Sequence, residues 1–282
     1  MFTRPAYRQT PSSIYFLFLS IFAIAYLVSA MFPLFYALNH IDIQIQSVFF
    51  CKIRLYIVHV LGLILRYVVV LACIDRFATT QANIRVRSLS SIRMAVGSTI
   101  VMIVLCFLIA MHLPILMNIR NGVCGMIGLY KVIYSFYQIT VVGILPPILM
   151  IIFSVLTIRN LWRRHASRLR ARRRDRYLMR MLIAEVTVNI VTSIPYSANL
   201  IYGAVAYSSA GKSTKQIEIE TFLTFFTQFL IYIISVAPFY LFLCASKPFQ
   251  REFLRWISRC WHQYVLRRVQ INPIREQTMT HV

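Results

Sequence analysis

Long apolar runs alternate along the chain with short polar segments rich in arginine. Six runs stand out, at roughly residues 14–38, 53–78, 92–117, 132–158, 177–207 and 219–245. At about 1.5 Å of rise per residue, each is long enough to cross a ~30 Å hydrocarbon layer as a helix. The pattern predicts an all-α, polytopic transmembrane bundle of six spans, followed by a short amphipathic C-terminal helix. The first run lies behind Arg4 and Arg8 and resembles a leader, but it is longer than a cleavable h-region and no small-residue cleavage site follows it. It is read as a retained span.

Polar residues inside the runs mark the inward faces. In the second span Gly62, Arg66, Val69, Cys73 and Arg76 recur at helical spacing, and in the fifth so do Glu185, Asn189, Thr192, Tyr196 and Asn199. Ionisable groups within a bilayer are costly and are functional candidates by default. Arg66, Glu185 and Asn189 therefore form the intramembrane polar set. Arg66 and Glu185, the opposite charges deepest in the spans, are expected to face each other, directly or through Asn189. A packing role for the same rows, with polar side chains bonding across helices, stands beside the functional one. Pro33, Pro114, Pro146, Pro147, Pro195 and Pro238 interrupt five of the six predicted helices.

Charge supplies the orientation. Residues 1–13 hold two Lys or Arg, 79–93 three, 159–180 ten and 246–282 seven, whereas 39–52, 118–131 and 208–218 hold one or two each. Short cytoplasmic loops accumulate these residues. Both termini are expected on the cytoplasmic side: 1–13 as an N-terminal segment, 14–245 as the bundle, 246–282 as amphipathic helix and tail. The net charge of +22 invites a nucleic-acid reading. Its placement at helix ends, where anionic membrane lipids supply the counter-charge, argues against one and for a multi-pass protein of the plasma membrane.

The chemistry is sparse. No H-E-x-x-H, G-x-S-x-G or P-loop pattern is present, and eight acidic residues leave little for acid–base catalysis, so no catalytic residue, metal site or cofactor is expected. Of six cysteines, Cys73, Cys106 and Cys244 fall within spans, while Cys51 and Cys124 fall on the outer, oxidising side. Cys260, after a basic stretch, is the lipidation candidate.

Spacing and residue type together resemble the rhodopsin-like (class A) G-protein-coupled receptors, from near Pro11 to about Trp256. Cys51 precedes Arg76 by 25 residues, and Asp75, Arg76 and Phe77 are similar to that family's D-R-Y motif. Pro195 suits the sixth-helix proline, and "APFYLFLCASKPFQREF" resembles the end of the seventh helix leading into an eighth. The resemblance implies a Cys51–Cys124 disulfide and a heterotrimeric G protein as partner. It also implies a resting pairing of Arg76 with Asp75 or Asp175. Departures accompany it. Ala23, Ser193 and Ala237 replace the family's Asp, Trp and Asn, and Tyr240 is displaced, with Leu241 in its usual place. The resemblance leads to the expectation that the family's first helix has no counterpart here, the six spans corresponding to helices two to seven.

For the ligand, the outer halves of the spans offer Tyr56, His59, Tyr134, Gln138, Tyr196, Asn199, Gln228 and Tyr232, with Val58 where amine receptors place an acid. Such an aromatic and amide lining suits a peptide or a neutral small molecule. A lone His such as His59 also has a structural reading. Two functional alternatives remain at this stage, a six-span channel or transporter and a truncated, non-signalling receptor subunit. Against a transporter, no internal repeat is found.

Overall fold

The computed structural model describes residues 11–37, 39–40, 46–88, 90–120, 123–126, 128–163, 169–205, 213–245, 250–251, 253–255, 257–259 and 261–262. Helix α1 covers Pro11–Ala37. Helix α2, Val48–Thr79, starts at Ser47, whose Oγ accepts the Phe50 N–H at 3.4 Å and so satisfies one orphan donor of the first turn. It ends where Thr79 and Thr80 donate their hydroxyls to the carbonyls of Arg76 and Phe77, at 2.7 and 2.9 Å. A short α3, Ile84–Ser88, leads to α4, Ile92–Ile109, which Ser91 caps by accepting from the Met94 N–H at 3.3 Å.

The third predicted span, 92–117, is broken after Ile109, and a separate α5 occupies His112–Leu116. Pro114 is the cause: it cannot donate to the carbonyl four residues back and its ring crowds it. That carbonyl, of Ala110, is taken by the Leu113 N–H at 3.0 Å. Strands β1, Asn118–Arg120, and β2, Val123–Gly125, then pair antiparallel with Ile119 opposite Cys124, a hairpin that the apolar pattern does not predict.

Helix α6, Leu129–Tyr137, follows Gly128, whose φ of 60° is one that glycine adopts without strain. It runs through a π-helical turn, Gln138–Ile144, into α7, Leu145–Arg163. The Leu145 N–H reaches back five residues to the Thr140 carbonyl. Continued in that register, residue 146 would bond Val141, but Pro146 has no N–H. The Tyr67 hydroxyl of α2 donates to the Val141 carbonyl instead, at 2.9 Å. Helices α8, Leu169–Val205, and α9, Thr214–Ala245, complete the bundle.

Helix α2 lies at the centre, against α1, α4, α7 and α8, while α9 packs along α8 and returns to α1. Leu63, Ile64 and Val68 of α2 are buried, whereas Val101 and Leu108 of α4 are 59% and 63% exposed among further apolar neighbours. So large an apolar face is foreign to a water-soluble monomer and natural against lipid. Among the described residues five segments are long and apolar enough to cross a membrane: Ser13–Pro33, Val48–Thr79, Ile92–Leu116, Leu129–Arg163 and Thr214–Leu241. The sixth long helix, α8, begins with a run of arginines and further along carries Glu185, Asn189, Thr192 and Ser193, all of them buried. The described residues from 250 to 262 are helical, and Phe253 packs edge-on against Phe239 with ring centroids 5.4 Å apart. Arg251, Arg255 and Arg259 recur at helical spacing there, out of register with Leu254, Ile257 and Trp261. Cys260 lies outside the described residues.

Lipid is as apolar as a leucine side chain, so close packing rather than hydrophobic burial holds such helices together. Gly143 shows the tolerance. A Cβ there would stand 3.1 Å from Ser197 Oγ on α8. Gly143→Val is expected to pry the π-helical turn from α8, cost about 1–3 kcal/mol by overpacking and lower the melting temperature of the purified protein. Adding Ser197→Ala should recover part of the loss. An unchanged melting temperature in the single variant would contradict the close seating.

Candidate functional site

At the end of the bundle nearest the hairpin, side chains from five helical segments surround about 570 Å³ of atom-free space. Tyr26 comes from α1, and Leu55, Val58, His59, Gly62 and Arg66 from α2. Tyr134, Gln138 and Val142 come from α6 and the π-helical turn, Tyr196 from α8, and Gln228, Ile231 and Tyr232 from α9. Counted from Leu55, the α2 contributors fall three, four, seven and eleven residues on, so a single stripe of that helix forms a wall.

His59, Tyr134, Gln138, Tyr196, Gln228 and Tyr232 are thus brought together. Tyr56 and Asn199, named with them from the sequence, are outside this lining. Tyr56 is turned about α2 toward α4, where its hydroxyl donates to the Phe107 carbonyl at 2.9 Å and its ring meets that of Phe107. Asn199, one turn along α8 from Tyr196, donates to Thr224 Oγ1 on α9 at 3.1 Å. Tyr26 was missed. Its ring lies 5.7 Å from that of Tyr232, and a hydroxyl in mid-span was the available signal.

His59 sits among tyrosines: its Nε2 is 3.0 Å from the Tyr137 hydroxyl and its Nδ1 3.4 Å from that of Tyr134. Since a hydroxyl can donate or accept, one imidazole tautomer satisfies both contacts. Beside this group, His112 Nδ1 bonds the Tyr130 hydroxyl at 2.6 Å.

Arg66, 3% exposed, stands at the boundary between this cavity and a tight gap lined by Leu19, Leu65, Val69, Met150, Glu185, Asn189 and Ile234. The expected trio is therefore gathered in one place, yet among the described residues no ion pair joins Arg66 to Glu185. Side chains lean toward the N-terminus of their own helix, and α2 and α8 run in opposite directions, so the two groups lean apart. Arg66 Nη1 donates back to the Gly62 carbonyl at 2.9 Å, and Nε has no partner. A Cβ on residue 62 would stand 3.5 Å from that Nη1, so the glycine leaves the guanidinium room. Asn189 does not bridge the charges. Its Nδ2 lies 4.0 Å from Met150 Sδ and its Oδ1 accepts from Ser193 Oγ at 3.2 Å.

The cavity end is tied by a disulfide between Cys51 and Cys124, with Cα atoms 5.9 Å apart, which holds the hairpin to the first turn of α2. The far end of α2 carries Asp75, Arg76 and Phe77. Asp75 is buried and its carboxylate accepts a short hydrogen bond from Ser90 Oγ, in the loop after α3. Arg76 is half-buried, and the Phe77 ring lies 5.7 Å from that of Phe153 on α7. Asp175 falls within α8, but its side chain lies outside the described residues.

The central helix thus carries a disulfide-tied cavity at one end and a buried Asp with a neighbouring Arg at the other. No curated protein matches the chain at a significant level. Residues 1–239 match the family model of the 7 transmembrane receptors (rhodopsin family), and the chain belongs to that family.

Proposed function

We propose that this membrane receptor takes an extracellular ligand into the cavity between Tyr26, His59, Tyr134, Tyr196 and Gln228 and signals to a heterotrimeric G protein at the Asp75–Arg76–Phe77 end. The observation that carries the reading is that α2 lines the cavity with Arg66 and bears Arg76 ten residues further on, about 15 Å along the same helix. The distribution of Lys and Arg supports placing the disulfide end outside the cell and both termini inside, with the basic loops against anionic lipid. In this reading Ser90 holds Asp75 in place, and Arg76, with Asp175 as its further acidic partner, makes the contact that changes on activation.

Nucleotide exchange on a purified G protein, with receptor in lipid nanodiscs, tests this directly. The receptor is expected to accelerate exchange, and Arg76→Ala is expected to remove most of the acceleration while leaving the melting temperature within a few degrees. Equal exchange with and without Arg76 contradicts the coupling role. A second reading, a receptor subunit that does not signal, draws on Ser193, which stands where the family carries an aromatic and is buried in a hydrogen bond to Asn189. Folded receptor that fails to accelerate exchange on every G-protein class favours it.

A further inference from the structure

Resting on that reading of the cavity, the geometry points to a small organic carboxylate as the ligand, its acid group bound by Arg66 and its body lying between the tyrosines. The expectation of a peptide or a neutral small molecule rested on the aromatic and amide lining alone and did not count Arg66 among the lining residues. The structure instead presents the guanidinium to the ligand cavity, 97% buried, with Nη1 on a backbone carbonyl and Nε unpartnered.

No acidic residue is among the described residues that line this cavity. An arginine in mid-membrane is costly, and a neutral carbonyl on one N–H does little to balance its charge. A carboxylate supplies the missing charge, and its two oxygens match the fork of the guanidinium. One cation in the lining fits a monoanion better than a phosphate dianion.

The remaining surface selects the body of the ligand. Leu55, Val58, Val142 and Ile231 present apolar surface, and Tyr26, Tyr134, Tyr196 and Tyr232 offer ring faces and edges for an alkyl or aromatic group. Gln138 Oε1 is buried and also unpartnered, so a hydroxyl or N–H on the ligand would satisfy it. The class is therefore a hydrophobic monocarboxylic acid, with room for one hydrogen-bond donor.

The test is made on the full chain in nanodiscs without G protein, so that binding is read apart from signalling. A panel of short alkyl and arylalkyl carboxylates, 3-phenylpropionate among them, is compared with the matching primary amides by thermal shift and by competition. Carboxylates are expected to raise the melting temperature and the amides to have little effect. Arg66→Gln should weaken carboxylate binding roughly tenfold or more, and Arg66→Lys should retain part of it. Amides that bind as well as their acids, or an Arg66→Gln protein with undiminished carboxylate affinity, overturn the assignment. So does a panel in which no carboxylate binds.

Should Arg66→Gln fail to fold, the comparison of acid with amide on the unaltered protein decides alone. Carboxylate binding that survives Arg76→Ala, without any exchange activity in the parent protein, leaves the anion site standing and removes the signalling role. Exchange driven only by neutral ligands does the reverse.

Discussion

Cys51→Ser, or Cys124→Ser, is expected to lower the yield of folded receptor by more than an order of magnitude. The bridge closes a segment of 73 residues, for which the chain-entropy model gives about 4 kcal/mol of stabilisation. The figure is an upper bound here, because membrane spans that stay helical in the unfolded chain have less entropy to lose. A further cost adds to it: Cys51 is fully buried, so the serine leaves a hydroxyl in an apolar setting. Losing the bond also frees the hairpin from the first turn of α2, beside the helix that supplies five residues of the cavity wall. Yield by size-exclusion chromatography and thiol labelling with and without reductant check this together. Ready labelling of both thiols in untreated protein, or a serine variant as stable as the parent, contradicts it. The double serine variant should be no worse than either single one, since the same bond is lost.

Glu185→Lys is expected to yield almost no folded protein, whereas Glu185→Gln should fold at close to the parental level. The first half follows from placement. Glu185 and Arg66 line the same tight gap, so a lysine there sets two cations side by side with no acid in the described lining to offset them. A misplaced cation at the membrane centre costs on the order of 3 kcal/mol on insertion scales, and the repulsion adds to that. The second half follows from the absence of an Arg66–Glu185 ion pair among the described residues. With no bond to break, glutamine keeps the volume of the side chain and hydrogen-bonding atoms for the gap. Melting temperatures in detergent, read with fluorescence-detected chromatography, separate the variants. A Glu185→Gln protein as unstable as a broken buried pair, down by about 3–5 kcal/mol, would show that the two charges depend on each other after all.

Those two expectations differ in how far the sequence foresaw them. The pairing of Cys51 with Cys124 was legible because the chain places both at one end of the bundle and the resemblance supplies the spacing. The relation of Arg66 to Glu185 was only half legible. Helical spacing tells which face of a helix each residue occupies, and both proved buried. It does not tell where a long side chain ends, and that depends on the lean of each helix and on the room left at Gly62. Tyr56 and Asn199 illustrate the same limit from the other side, since each finds a partner beside the cavity rather than in it. The hairpin had a signal that hydropathy ignores, the Asn121-Gly122 pair that hairpin turns favour. Pro114 and the Pro146-Pro147 pair marked the disturbed stretches, without saying that one becomes a break and the other a π-helical turn.

By itself the sequence determined the long helices and their inward stripes, because a bilayer leaves a spanning chain little choice but to satisfy its backbone within helices, and polar side chains in them must turn from lipid. Tertiary structure alone decided which neighbours each stripe meets. Helices in an apolar solvent are held by contact geometry that acts over a few ångströms, between residues far apart in the chain. That is why Tyr26 joins the cavity, why Tyr67 closes the gap left by Pro146, and why Arg66 turns to Gly62 and an open cavity rather than to Glu185.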